Sequence, residues 1–333
     1  MSEIVTARVV ATSLDELLAG VTSREPLKNT DSKSGAALER VVIDGTSYVV
    51  KHFAERDWLA DSSHDDSCRA VGLFEDGVYA AVAEIVDATV VGAARLAGPD
   101  RWPAALLMRD AAADFIPLDA AVDLDTHAAF IDAMSALHAR FWEAPPATTY
   151  MSLAGSYDML SPRRARLERE SFGDRSDVLR AVPVGWARVA DEAPEAWRAV
   201  AGLLDEPAPM VAAMLRAPRT FLQGDWKMGN LGRRADGRVV LVDWDRPTIG
   251  PAVYDLAWYL SVNCDRITES KDDTIARYRR GLHGRGVVTD GWWDEQLALA
   301  LLGSFLQLGW SKAGQPDELG WWAERAVDAA ARL

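Results

Sequence analysis

An aspartate at 225, an asparagine five positions later at 230 and an aspartate at 243 have the types and spacing that could do chemistry. Their carboxylate and amide oxygens suit a hard divalent cation that keeps several waters. One aspartate that orients a hydroxyl and accepts its proton, with an asparagine and a second aspartate that hold Mg2+, is the residue set of phosphoryl transfer. Gly, Asp and Asn are also common loop and turn formers, so the residues around the trio decide its meaning. The apolar run Thr220-Phe221-Leu222 leads into Gly224-Asp225, and Val239-Val240-Leu241-Val242 leads into Asp243. Asp236-Gly237, between the two runs, is a hairpin turn signal. The expectation is a small β structure with Asp225, Asn230 and Asp243 converging at one end.

The rest of the chain must position this trio. Its 333 residues suffice for one large domain or two lobes with substantial cores. A hydrophobic content of 49% and a charged content of 26% fit a globular chain. A net charge of −14 argues against non-specific binding to nucleic acid or anionic membrane, and favours cationic ligands. Residues 1–20 lack the basic and apolar regions of a secretory signal. No apolar run approaches the length of a membrane span. Cys68 and Cys264 are far apart without CxxC spacing, and the five histidines are scattered. Together these point to a cytoplasmic chain with reduced thiols and no zinc.

Upstream, Ser13–Leu18 reads as a short helix entered through Thr12 or Ser13. A strand near Leu27, a small polar segment at 31–36, the run Leu38–Ile43, the turn Asp44-Gly45 and Tyr48-Val49-Val50-Lys51 follow. Strand, Ser/Gly loop, strand, turn and strand ending in lysine is the order of a kinase nucleotide-binding lobe. In that order Ser34 and Gly35 would cover the phosphates and Lys51 would hold them. The bland alternatives are a surface loop and a solvated lysine. Residues 89–97 and 104–109 read as two more strands. From Thr126 to Trp142 the stripe Phe130, Met134, Leu137 and Phe141 is helical, and His138 reads as a packed residue on it. Arg163, Arg164, Arg166 and Arg169, with Glu168 and Glu170 between them, read as a helix face with internal ion pairs. Pro183, Pro194, Pro207 and Pro209 predict short, broken helices in 150–218. Asp265, Glu269, Asp272 and Asp273 read as a solvated acidic face, with a pocket for a cationic substrate as the alternative.

The stretch 219–262 resembles the aminoglycoside phosphotransferase and choline kinase family, small-molecule kinases with a protein-kinase-like fold. The family pattern H-G-D-x-x-x-x-N, D-[WFY]-[DE] and G-P…D-L appears here as QGDWKMGN, DWD and GPAVYDL. Gln223 stands where the family usually has a histidine that supports the loop rather than reacting, so activity is expected to survive. The resemblance implies a bilobal α+β fold, with a small β-rich lobe over 1–109, a larger and mainly helical lobe over 110–333 and a hinge about 108–112. It implies ATP and Mg2+ as cofactors. Asp225 is then catalytic, Lys51, Ser34, Gly35, Met108 and Asp110 bind the nucleotide, and Asn230 and Asp243 hold the metal. Asp255 would make a buried bond to the catalytic loop. In such kinases the lysine pairs with a Glu on the next helix, but the matching register here gives Ala70, with Asp66 one turn before and Glu75 five positions after. The acceptor is expected to be a small-molecule hydroxyl, on an aminoglycoside, amino sugar or related hydroxylated amine. A neutral sugar, a choline-like alcohol or a macrolide is the alternative, as is a nucleotide-binding pseudokinase regulator, to which Ala70 alone points. A monomer or homodimer without nucleic-acid or membrane partners is expected.

Overall fold

The computed structural model describes residues 9–27, 36–53, 58–97, 103–117, 120–173 and 176–333. Ser34 and Gly35, assigned above to the nucleotide, lie outside the described residues. In chain order, α1 (Leu14–Leu17) precedes the strands β1 (Val21–Leu27), β2 (Ala37–Ile43) and β3 (Thr46–Phe53). The helices α2 (Trp58–Ser62), α3 (Arg69–Glu75) and α4 (Val78–Val82) lead to β4 (Val90–Arg95) and β5 (Ala104–Arg109). Next come α5 (Leu124–Arg140), α6 (Leu153–Asp158), α7 (Pro162–Phe172), α8 (Asp177–Glu192), α9 (Pro194–Asp205) and α10 (Ala208–Met214). The short strands β6 (Thr220–Leu222), β7 (Leu231–Arg233), β8 (Val239–Leu241) and β9 (Thr248–Gly250) precede α11 (Val253–Val262), α12 (Lys271–Gly284), α13 (Trp293–Leu308) and α14 (Pro316–Ala330).

These elements form two compact units. The first is Met1–Leu118 with Pro146–Tyr150 and Gly229–Arg246, and the second is the remainder. The first unit holds an antiparallel sheet in the order β1-β2-β3-β5-β4. Its β2–β3 hairpin turns on Asp44-Gly45, with φ of 49° and 77°, the pair of positive values that a two-residue I′ turn requires. Alternation along the strands sends Val41, Val50, Ala105 and Leu107 into a core with Ala11 and Leu18. Lys51, one residue on from Val50, is therefore turned to the opposite face. There α3 packs on β4 and β5.

The hairpin that carries Asp243 differs from expectation. The runs 220–222 and 239–242 do not pair with each other: β8 pairs with β7, and β6 with β9. The Asp236-Gly237 turn is tight, with the Arg234 N–H donating to the Arg238 carbonyl at 2.9 Å. It therefore joins the nearest segment upstream, Leu231–Arg233, and leaves Thr220–Leu222 for the strand after Asp243.

In the second unit α11 is buried on all sides from Val253 to Ser261, as a central helix must be, and it packs against α12 and α13. Pro183 does not break its helix: α8 runs through it to Glu192, at the loss of one backbone hydrogen bond. Pro194 starts α9 and Pro209 lies in the first turn of α10, where a missing N–H costs nothing. Arg163 and Arg164 clasp Asp158 at 2.8 and 2.9 Å, so part of the basic cluster is spent on ion pairs. Among the described residues no helix is long and apolar enough to cross a membrane.

Candidate active site

In the first unit β3 carries Lys51 to a buried position, 8% exposed. Its ammonium lies 2.6 Å from Asp243 Oδ1 and 2.6 Å from Asp245 Oδ2, and 4.9 Å from the Phe53 ring centre. Burial alone disfavours the charged amine, but the two carboxylates outweigh it and hold the Lys51 pKa above the ordinary lysine value. Burial, with Asp243 alongside, pushes the Asp245 carboxyl up against the pull of Lys51. Two carboxylates facing one ammonium leave an excess negative charge, which a divalent cation can neutralise.

The Asp243 backbone sits at φ 63°, a left-handed conformation that side-chain-bearing residues adopt mainly where function or packing demands it. One residue earlier, the Val242 N–H donates to the Asn230 carbonyl at 3.0 Å, continuing the β7–β8 ladder. The base of this hairpin thus carries Asn230 and Asp243 on facing strand ends. Between the two acids Trp244 is buried, its indole N–H donating to the Leu241 carbonyl at 2.8 Å. The available donors are hard oxygens, which fits Mg2+. Among the described residues no group of three or more His, Cys, Asp or Glu could cage a metal by itself. A hard divalent cation of the Mg2+ type takes few protein ligands and shares its shell with phosphates and water. Asn230 and Asp243 would hold it.

The loop of Asp225 belongs to the second unit and is built differently. Gly224 takes φ 82°, which only glycine adopts freely, and so delivers Asp225 out of β6. Asp255, fully buried on α11, accepts the N–H groups of Gln223 and Gly224 at 3.0 Å each. His138 is also fully buried and lies 3.2 Å from the same carboxylate through Nε2. His138 Nδ1 lies 2.5 Å from the Tyr278 hydroxyl, which itself donates to the Ala252 carbonyl at 3.0 Å. His138 is therefore the packed helix residue expected, and Asp255 makes the buried bond to the loop. Gln223 Oε1 accepts the Asp225 N–H at 2.8 Å, and Asn263 Oδ1 accepts the Met228 N–H at 2.8 Å. The Asp225 carboxylate is held through Oδ1 by the Trp258 indole at 3.1 Å, and through Oδ2 by Lys227 at 3.0 Å.

At the end of β5 Met108 pairs with Val49 and Val90 in the ladder. Asp110 follows the strand, and its carboxylate accepts from Arg40 Nε at 2.9 Å, Ser47 Oγ at 2.8 Å and the Ala112 N–H at 3.1 Å. Its side chain is thus committed to the sheet, and its carbonyl accepts from Arg109 Nη1 at 3.2 Å. The acidic stretch is largely engaged too: Glu269 binds Arg277 and His127, and Asp273 bonds Ser270 at the start of α12.

Sequence reasoning missed Asp245, Arg69, Lys227 and Trp258. Asp245 and Lys227 lie inside the quoted motifs and were available as second charged residues. Trp258 sits three positions after Asp255, the spacing of one helix face. Nothing local marks Arg69 as buried.

A family model described as the phosphotransferase enzyme family matches residues 34–292. The solved choline kinase LicA from Streptococcus pneumoniae is similar at 13% identity, with 96% of each chain covered and a TM-score of 0.50. The aminoglycoside phosphotransferase APH(3'')-Id from Streptomyces rimosus is similar at 20% identity, covering 90% of this chain and 95% of that one, with a TM-score of 0.50. At such identities these two speak for the fold. No curated protein sequence matches significantly. The family match spans both loops and the lysine strand, and the chain belongs to the phosphotransferase enzyme family, as a small-molecule kinase acting on a hydroxyl.

Proposed function

We propose that the chain transfers the γ-phosphoryl group of ATP to a hydroxyl of a hydroxylated amine, with an aminoglycoside or amino sugar as the acceptor class. The observation that carries the transfer is the cluster of Lys51, Asp243 and Asp245 at the hairpin end that also bears Asn230. Lys51 binds the α/β-phosphates. Asn230 and Asp243 hold Mg2+, which when bound neutralises charge on the β- and γ-phosphate oxygens. The backbone about 108–112, with Met108 and Asp110, takes the adenine, and Ser34 and Gly35 cover the phosphates. Asp225, five residues before Asn230 in the chain, orients the acceptor hydroxyl and receives its proton at a carboxylate oxygen. In a loose transition state that proton need not leave early, so orientation is the larger part of the work. Trp258 and Lys227 fix the carboxylate for that task.

The net charge of −14 supports a cationic acceptor. The carboxylates around Lys51 weigh against the pseudokinase alternative, because they supply the counter-charge that Ala70 cannot. The test is a phosphorylation screen with purified protein, Mg2+ and ATP. It uses aminoglycosides, amino sugars, choline, neutral sugars and macrolides. Turnover confined to amine-bearing acceptors is the expected result. Turnover of neutral sugars or macrolides alone overturns the acceptor class, and ATP binding without turnover on any acceptor overturns the transfer.

A further inference from the structure

We propose that Asp245, the second acid of Asp243-Trp244-Asp245, is the positioning residue of Lys51, a task related kinases give to an acid on the following helix. The proposal rests on the nucleotide-binding role given to Lys51 above. The helix in question is α3, whose one acid, Glu75, is engaged elsewhere. Ala70 carries no carboxylate. Glu75 is gripped by Arg95 through two bonds of 2.6 and 2.7 Å. Asp65, just before the helix, accepts the Arg69 N–H with both oxygens at 3.1 Å. Among the described residues the carboxylates that reach Lys51 are those of Asp243 and Asp245.

The two are not equivalent. Asp243 stands at the hairpin end with Asn230, on a left-handed backbone, and is the candidate metal ligand. Asp245 is tied from behind. Its carbonyl accepts from Arg69 Nε at 3.3 Å. Arg69 is 2% exposed and anchored by the Ser63 carbonyl at 3.0 Å, the Ser63 hydroxyl at 3.0 Å and the His64 carbonyl at 3.1 Å. The main chain of Asp245 is therefore fixed to the start of α3, and its side chain to Lys51. When a cation takes Asp243, Asp245 keeps the lysine in place. The helix still participates, but through an arginine on a carbonyl rather than an acid on the lysine. The lysine and the metal motif thus move as one piece.

The experiment is a double-mutant cycle in the full chain with Lys51→Met and Asp245→Asn. It reads affinity for a non-hydrolysable ATP analogue with Mg2+ by calorimetry, and the melting midpoint without nucleotide. Asp245→Asn is expected to weaken analogue binding about tenfold when Lys51 is intact, the size of one charge-assisted hydrogen bond. In the Lys51→Met background it should change binding less than about twofold. The melting shifts should be non-additive in the same sense. Asp245→Glu, which keeps the charge, should restore analogue binding to within about threefold of the parent. Equal weakening in both backgrounds, or no rescue by Asp245→Glu, overturns the proposal. The Asp245→Glu variant decides the matter if Asp245→Asn does not fold. Absence of analogue binding in the parent chain overturns the nucleotide site itself, and with it the task given to Asp245. The melting cycle then still reports whether the pair exists.

Discussion

Two loops of this chain each present an aspartate, and they are stabilised by opposite means. The Asp225 loop is shaped by hydrogen bonds from neutral or backbone donors, gathered by Asp255, Gln223 and Asn263 and closed by the Trp258 indole. Lys227 is the cation that touches its acid. The Asp243–Asp245 segment is shaped by charge, through Lys51 on the two side chains and Arg69 on the backbone. A loop of the first kind can lose its central charge and keep its form, so damage appears in rate. A segment of the second kind loses charge balance and geometry together, so damage appears in binding and stability as well.

Substitutions that break this contrast rank by expected effect. Asp243→Ala removes the proposed metal ligand and half of the counter-charge of Lys51, so metal-dependent turnover should vanish and melting should shift. A variant with parental activity removes Asp243 from the site. Asp225→Asn keeps shape and hydrogen bonding but cannot take the proton. Steady-state assays should show kcat lower by at least about a hundredfold, with ATP affinity by calorimetry nearly unchanged. Near-normal kcat sinks the role of Asp225. Lys51→Ala should raise the KM for ATP and lower kcat, for a combined loss of roughly a hundredfold in kcat/KM, about 2.7 kcal/mol. An unchanged KM puts the lysine outside the nucleotide site. Asp255→Asn leaves one buried N–H in the Asp225 loop without its acceptor, at about 1–3 kcal/mol. Denaturant unfolding should register that loss, and parental stability shows that another group holds the loop. Gln223 sharpens the contrast at the small end. Gln223→Ala removes the acceptor of the Asp225 N–H and should lower kcat about tenfold, whereas Gln223→His, which offers a ring nitrogen, should stay within about threefold. Equal losses in both show that the acceptor is not what position 223 provides.

Much of this was legible from local pattern. The alternation after Asp44-Gly45 located β3 and put Lys51 within it, and the stripe from Phe130 to Phe141 located α5. The G-D-x-x-x-x-N and D-W-D spacings named the acids. What stayed hidden was pairing between distant segments. Three-residue strands such as β6 carry too little pattern to declare a partner, so the mate of Thr220–Leu222 could not be told from its sequence. Strand β1 is mostly exposed and mixes Arg24, Glu25 and Pro26, so only its end near Leu27 read as strand. The replacement of a helix acid by Asp245 was invisible because the absence at Ala70 is local while the substitute comes from 194 positions away. The short-helix reading of 177–192 failed at Pro183 because tertiary packing of α8 on α7 and α9 outweighed one missing bond.

That separation of Lys51 from Asp243, 192 positions, sets an order in time. The first unit is discontinuous, and its hairpin, Gly229–Arg246, follows long stretches of the second unit. On a ribosome adding about 5–20 residues each second, the sheet around Lys51 emerges many seconds before either acid. Until then the lysine stays in water or is buried without a counter-charge, which an ammonium resists. Closing so long a loop is slow relative to local hairpins and helices. Completion of the cluster of Lys51, Asp243 and Asp245 is therefore a late event in folding. A fragment ending before residue 243 should leave Lys51 without either carboxylate and be open to proteolysis.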